Sequence, residues 1–183
     1  VFDGIDIDWE FPGGGGNSHP RVEGIAAEQE KTTFKLMMQE FRAALDRLST
    51  TTKRQYQLTA AGNGSKAKTD AIDWQNTALY MDYVFAMTYD FAVGDGQADH
   101  HTSLFNNSND GLSTAKMINN LLAAGVPKQK LVVGVAFYGR GWRNSGWQQT
   151  HFKASNDAIS TGSYTYQQLV HTPLDGYKYG YDT

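Results

Sequence analysis

Four strand-like runs separated by segments of helical period constrain this chain's fold more than any other feature. Val1 to Trp9 alternates strongly and ends at Pro12 and the Gly13–Gly16 run, the pattern of a strand feeding a loop. From Glu28 to Ser49, Phe34, Met37, Met38, Phe41, Leu45 and Leu48 recur on one helix face. Tyr56 to Ala61 reads as a second strand, followed by a weaker helix over Asp70 to Asp82. Tyr83 to Tyr89 reads as a third strand, and a long polar loop runs from Phe91 to about Leu112. Ser113 is placed to cap a helix reaching Ala124, which Gly125 ends, and Leu131 to Phe137 reads as a fourth strand. After Gly139 no clear period remains. Strands alternating with helices imply right-handed parallel crossovers, hence an α/β fold. Both the doubly wound sheet and the eight-fold barrel meet that description. A barrel takes about 250 residues, and this chain of 183, with four strand-like runs, would hold only four of its eight strands.

Composition narrows the function classes. There are 16 Lys and Arg against 19 Asp and Glu, a net charge of -3, which argues against a sequence-independent grip on nucleic acid. No run of 18 or more apolar residues is available to span a membrane. The absence of Cys excludes disulfide scaffolds, thiolate zinc sites and thiol nucleophiles. The chain opens on Val1-Phe2-Asp3, already strand-like and without an initiator Met, and it reads as a piece of a longer protein.

The chemistry is concentrated in Asp3 to Glu10, D-G-I-D-I-D-W-E. Strand side chains alternate, so Asp6, Asp8 and Glu10 share one face while Ile5, Ile7 and Trp9 share the other. If the apolar face packs against helices, the acidic face points into a barrel, with Glu10 nearest the C-terminal mouth. Three carboxylates at about 6–7 Å intervals repel one another when all are ionised, so a metal, a shared proton or a hydrogen-bonding ligand must compensate. A solvated acidic edge fits poorly between Ile5, Ile7 and Trp9. A Mg²⁺ or Ca²⁺ site is the sharper rival, although the strand offers no nearby His or Asn. Proton chemistry is the reading carried forward, with Glu10's pKa raised by its neighbours so that it serves as a general acid. Ordinary glycosidases place two carboxylates on opposite sides of the scissile bond. Asp8 and Glu10 share a face, so either a distant acid such as Asp90 or the substrate itself supplies the nucleophile.

The segment Phe2 to Pro12, F-D-G-I-D-I-D-W-E-F-P, resembles the signature of glycoside hydrolase family 18, the chitinases. Met87-Thr88-Tyr89-Asp90-Phe91 and Phe137-Tyr138-Gly139-Arg140-Gly141-Trp142 reinforce it, and the order of all three is similar to the bacterial chitinase A-like branch. The resemblance implies a partial (β/α)8 TIM barrel, about strands 4 to 7, over residues 1–141. Residues 142–183 would be the start of a small α+β insertion. It implies a retaining enzyme that cleaves β-1,4 links of chitin, with the sugar's own acetamido carbonyl as nucleophile and an oxazolinium intermediate.

By that resemblance Glu10 is the acid and base, Asp8 orients the acetamido group, and Asp6 shares a proton with Asp8. Tyr89 holds the acetamido carbonyl, with Asp90 beside it. Phe11, Met87, Tyr138 and Arg140 contact substrate. No metal and no cofactor are implied. The partners are chitin and chito-oligosaccharides, with neither nucleic acid nor membrane, and the protein would be a secreted monomer. A piece holding half a barrel would be inactive alone. A chitin-binding lectin on the same fold and an endo-N-acetylglucosaminidase are the rival readings, with a metal-dependent phosphoryl-transfer enzyme behind them. His100 and His101 are placed in a polar loop without a role. Trp74, Trp142 and Trp147 are candidates for stacking on sugar rings, and Trp9 is assigned to packing. Two stretches depart from the family pattern, Ala92-Val93-Gly94 and Ala158 to Gly162, and both bear on distal sugar subsites.

Overall fold

The computed structural model describes residues 2–16, 20–95, 98–105, 111–143 and 159–171; Trp147 and Ala158 lie outside them. The chain divides into two units, Val1–Met87 with Thr114–Gly134, and Thr88–Ser113 with Val135–Thr183.

The first unit is built on a parallel sheet of β1 (Gly4–Ile7), β2 (Gln57–Gly62), β3 (Tyr83–Ala86) and β4 (Leu131–Val133), in the order β1-β2-β3-β4. A doubly wound sheet reverses its direction of travel at a switch point. Four consecutive strands laid down in sequence order do not, which is the winding of a barrel wall. Among the described residues β1 and β4 remain edges, and the sheet does not close. The connections are α1 (Ile25–Thr52) between β1 and β2, α2 (Lys66–Thr69) and α3 (Trp74–Thr77) between β2 and β3, and α4 (Thr114–Ala123) before β4. No helix among the described residues is long and apolar enough to cross a membrane.

Register explains the packing. Ile7, Ala60, Val84 and Leu131 lie across the strands as one apolar row. That face joins Phe34, Met38 and Leu45 of α1, Trp74 of α3 and Leu121 of α4 in a single core. Trp9 packs on Phe34 at 6.0 Å between ring centroids, and Phe34 meets Trp74 edge-on at 6.4 Å. Each such buried side chain contributes about 1.5–3 kcal/mol. Arg42 pins the strand entrances, donating to the Tyr56 carbonyl at 3.0 Å and to Asp82 Oδ2 at 3.2 Å, while Asp82 Oδ2 also accepts the Leu58 N–H at 2.7 Å.

The structure corrects several element limits. β1, β3 and β4 are shorter than their sequence patterns, because alternation continues where the ladder has ended, while β2 keeps its expected length and is displaced by one residue. The Gly134 N–H to Ala86 carbonyl bond, 2.9 Å, is the outermost β3–β4 link. Of the helix expected over Asp70 to Asp82 only α3 (Trp74–Thr77) forms, with α2 (Lys66–Thr69) ending before that range, while α1 runs past Glu28 to Ser49 at both ends.

The second unit holds regular structure where the sequence shows no clear period after Gly139. β5 (Tyr138–Arg143) pairs antiparallel with β6 (Ile159–Thr165), and α5 (Tyr166–His171) follows. Glycine hid this strand: Y-G-R-G-W-R carries no second apolar face to alternate. At Gly141 the reason is steric, since a Cβ would stand 2.3 Å from Thr161 Oγ1. The loop before the hairpin is tied to it by the Trp142 Nε1–H bond to the Gly94 carbonyl, 2.9 Å, and the Ser160 N–H bond to Asp95 Oδ1, 2.6 Å.

Candidate active site

In the first unit the face opposite the apolar row carries Asp6, Thr59 and Tyr83 side by side. Thr59 Oγ1 donates to Asp6 Oδ1 at 2.5 Å, so Asp6 enters the site already oriented. Asp8 and Glu10 lie beyond the end of β1 rather than within it. The alternation nevertheless persists: Asp6, Asp8 and Glu10 are exposed, while Ile5, Ile7 and Trp9 are half-buried. The exposure pattern is that of three carboxylates on one side at the C-terminal edge of a parallel sheet, where folds of this class bind ligands. Among the described residues no group of three or more His, Asp or Glu side chains converges as a metal site.

The turn after Glu10 is tightly held. The Glu10–Phe11 peptide is cis, and the Gly14 N–H closes back on the Phe11 carbonyl at 2.9 Å. Gly14 has φ +72°, and a Cβ there would fall 2.0 Å from the Pro20 carbonyl oxygen, so only glycine fits. Lys68 of α2 donates to the Gly14 carbonyl at 2.5 Å and lies 4.4 Å from the Phe11 ring centroid. Burial, with Arg21 nearby, holds the Lys68 ammonium's pKa below its usual value. The Gly13 N–H donates to Glu30 Oε2 of α1 at 2.6 Å. Met87, half-buried, extends the β2–β3 ladder through its N–H to the Gly62 carbonyl, 2.9 Å.

The second unit gathers Tyr89, Asp90, Tyr138 and Arg140. Arg140 donates from Nε at 2.9 Å and Nη2 at 2.6 Å to a single oxygen, Asp90 Oδ1. Asp90 adopts φ +59°, which Asp tolerates better than most residues and which re-aims its carboxylate. Tyr138 lies edge-on to Tyr89 at 6.2 Å, with the Arg140 guanidinium 5.4 Å from its ring centroid. Burial, then a hydrogen bond to the Asp90 carboxylate, pushes the Tyr138 phenol up to about 12. The Arg140 pKa is raised by its bonds to Asp90 against an opposing effect of burial, which is the largest single contribution.

The family assignment rests on the whole length. The family model described as "Glycosyl hydrolases family 18" matches residues 1–182. The chain belongs to that family. Chitinase A of Pseudoalteromonas piscicida is 39% identical over 164 residues, covering 77% of this chain and 19% of that protein. A probable endochitinase of Orgyia pseudotsugata multicapsid polyhedrosis virus is 34% identical over 193 residues, 99% of this chain and 34% of the viral protein. Among solved structures, the multi-modular chitinase ChiW of Paenibacillus sp. str. FPU-7 superposes with a TM-score of 0.82 at 29% identity, covering 96% of this chain and 16% of ChiW. The chain thus spans about a fifth to a third of the length of these curated relatives. The fold is the α/β, TIM-barrel-type fold of the family.

The sequence-derived residues fall into two sets: Asp6, Asp8, Glu10, Phe11 and Met87 in the first unit, and Tyr89, Asp90, Tyr138 and Arg140 in the second. Of the candidate sugar platforms, Trp74 is 1% exposed and belongs to the core. Trp142 is half-buried with its indole N–H engaged, and Trp147 lies outside the described residues. The residue that sequence reasoning missed is His101. Its ring stacks on Tyr138 at 5.1 Å, with Nδ1 3.8 Å from Asp90 Oδ1. No periodicity could have found it, because a polar loop carries none.

Proposed function

We propose that the protein carrying this chain is a chitinase, hydrolysing β-1,4 linkages between N-acetylglucosamine units with net retention. The observation that supports it best is the row of Asp6, Asp8 and Glu10 on one face at the sheet's C-terminal edge, in a family 18 chain. With all three acids on one side, none can attack from the opposite face of the sugar, and of the two remaining sources, a distant acid such as Asp90 or the substrate, the family resemblance implies the substrate's own acetamido group. Glu10 passes its proton to the glycosidic oxygen as the bond to C1 breaks, and the acetamido carbonyl oxygen forms the new bond to C1. Glu10, now a carboxylate, takes a proton from water, which opens the oxazolinium ring and restores the acid. Asp8 orients the acetamido N–H and balances the developing positive charge. Asp6, held by Thr59, shares a proton with Asp8.

Tyr89 donates to the acetamido carbonyl, Asp90 lines the same sugar, and Phe11, Met87, Tyr138 and Arg140 contact substrate. No cofactor enters this scheme. In this reading the four parallel strands are about the fourth to seventh of a (β/α)8 barrel over residues 1–141, and residues 142–183 begin an α+β insertion. The complete protein is a secreted monomer, and this chain by itself is inactive.

The test places the chain in a complete family 18 barrel and follows release of soluble oligosaccharides from colloidal chitin. Glu10→Gln keeps the shape and removes the proton, and the expected loss is roughly 10²–10⁴-fold. If the unaltered protein binds chitin without cleaving it, the lectin reading replaces this one. If it cleaves glycoprotein glycans and leaves chitin intact, the endo-N-acetylglucosaminidase reading does.

A further inference from the structure

The loop between Ala98 and Phe105 brings one side chain into the second unit's polar cluster that no sequence motif assigns. The loop is anchored at that residue and at the next. The Phe91 N–H donates to the His101 carbonyl at 3.1 Å, and Thr102 Oγ1 donates to the Thr88 carbonyl at 2.9 Å. These bonds tie His101 to the same short segment that bears Tyr89 and Asp90.

The His101 side chain is only 11% exposed. Its ring lies 5.1 Å from that of Tyr138 and inclined by 30°, an offset stack. Nδ1 is buried, has no hydrogen-bond partner among the described residues, and stands 3.8 Å from Asp90 Oδ1. That distance is too long for a hydrogen bond. The oxygen it faces is the one already taken by Nε and Nη2 of Arg140.

The charge arithmetic selects the neutral ring. Asp90 and Arg140 form a balanced pair, and Tyr138 adds an uncharged phenol. A neutral imidazole with its proton on Nε2 covers the Tyr138 ring without donating to Asp90 Oδ1. An imidazolium would add a third charge, and its Nδ1–H would draw Asp90 Oδ1 away from Arg140. Burial and the Arg140 charge oppose protonation, whereas Asp90 and a hydrogen bond with the Tyr138 backbone favour it. Burial is the largest of these effects, and the His101 pKa lies below the ordinary value.

We propose that His101 is a positioning residue: its uncharged ring, wedged against Tyr138 and beside Asp90, fixes the Tyr138 phenol and leaves Asp90 committed to Arg140. The inference rests on the reading of Tyr138, Asp90 and Arg140 as sugar-contacting residues. It also assigns a pH dependence that Glu10 does not supply. As pH falls through the lowered His101 pKa, the imidazolium pulls on Asp90 and substrate affinity weakens.

The experiment uses the chain within a complete family 18 barrel and compares wild type with His101→Ala and His101→Phe on chito-oligosaccharides. His101→Ala should lower kcat/KM roughly tenfold, mostly through KM, because the proton donor is untouched. His101→Phe restores a flat ring that never ionises, and should recover most of the loss while abolishing the acid-side rise in KM. Equal impairment of both variants, or wild-type KM and pH profile in both, overturns the proposal. A second readout needs no activity: with tyrosine labelled at the phenol carbon, NMR at about pH 10.5 should show Tyr138 protonated in wild type and partly ionised in His101→Ala. An unchanged Tyr138 signal overturns the proposal. If wild type does not cleave at all, the chitinase reading falls, and the Tyr138 signal alone decides the role of His101.

Discussion

The two units solve the problem of holding polar side chains in opposite ways. In the first, regular structure does the work. Asp6 is aimed by strand parity, and its partner Thr59 by the β1–β2 register, with the apolar row of Ile7, Ala60, Val84 and Leu131 anchored behind them. In the second, Asp90 and Arg140 are 50 residues apart in the chain and meet through side-chain bonds, with His101 supplied by a loop. A site on a sheet inherits the rigidity of the core. A site assembled from loops depends on each of its own contacts. Substitutions should therefore act differently in the two units: core changes in the first cost stability, and polar changes in the second cost affinity.

The largest effect after loss of Glu10 is expected in the core. Phe34→Ala removes the ring between Trp9 and Trp74 and should destabilise the complete protein by about 3–5 kcal/mol, read from denaturant unfolding. A cost below about 1 kcal/mol would mean that the sheet face is not held by this core, and the contrast would fail.

A smaller effect belongs to Asp90→Asn. Asn tolerates the left-handed backbone at φ +59°, so the change removes charge while sparing the turn. KM for chito-oligosaccharides should rise roughly tenfold while the unfolding midpoint moves little. A large stability loss without a KM change would show that the Asp90–Arg140 pair is structural.

The smallest is a pH effect. The Tyr138 phenol is raised from 10.0 to about 12, so it stays protonated in the folded protein where the unfolded chain has ionised. The contribution is fully present below pH 10 and is lost as pH rises toward about 12. Tyr138→Phe should flatten that slope of stability against pH. If the slope is unchanged, the phenol is not held by burial and Asp90.

Much of the first unit is legible in the sequence, because its information is periodic. Phe34, Met38 and Leu45 mark a helix face at a spacing of 3.6, and the alternation from Asp3 to Glu10 places three acids on one side. That alternation outran the strand itself, which ends at Ile7, since exposure follows side-chain direction and not the hydrogen-bond ladder. The broken helix between Lys66 and Thr77 was not legible, nor was β5, where glycines leave no face to count. Tyr89, Asp90, Tyr138 and Arg140 were found only because short motifs resemble those of a family. Nothing in those motifs says that Arg140 takes a single oxygen of Asp90.

By itself the sequence determined the α/β class, the helix-facing core and the side on which Asp6, Asp8 and Glu10 stand, because side-chain direction repeats with the backbone. Only the tertiary structure decided the continuous strand order β1-β2-β3-β4, the Thr59 bond to Asp6, the hairpin of β5 with β6, and the meeting of His101, Asp90, Tyr138 and Arg140. Those are contacts between residues far apart in the chain, set by shape and charge once the backbone has closed, and no local period carries them.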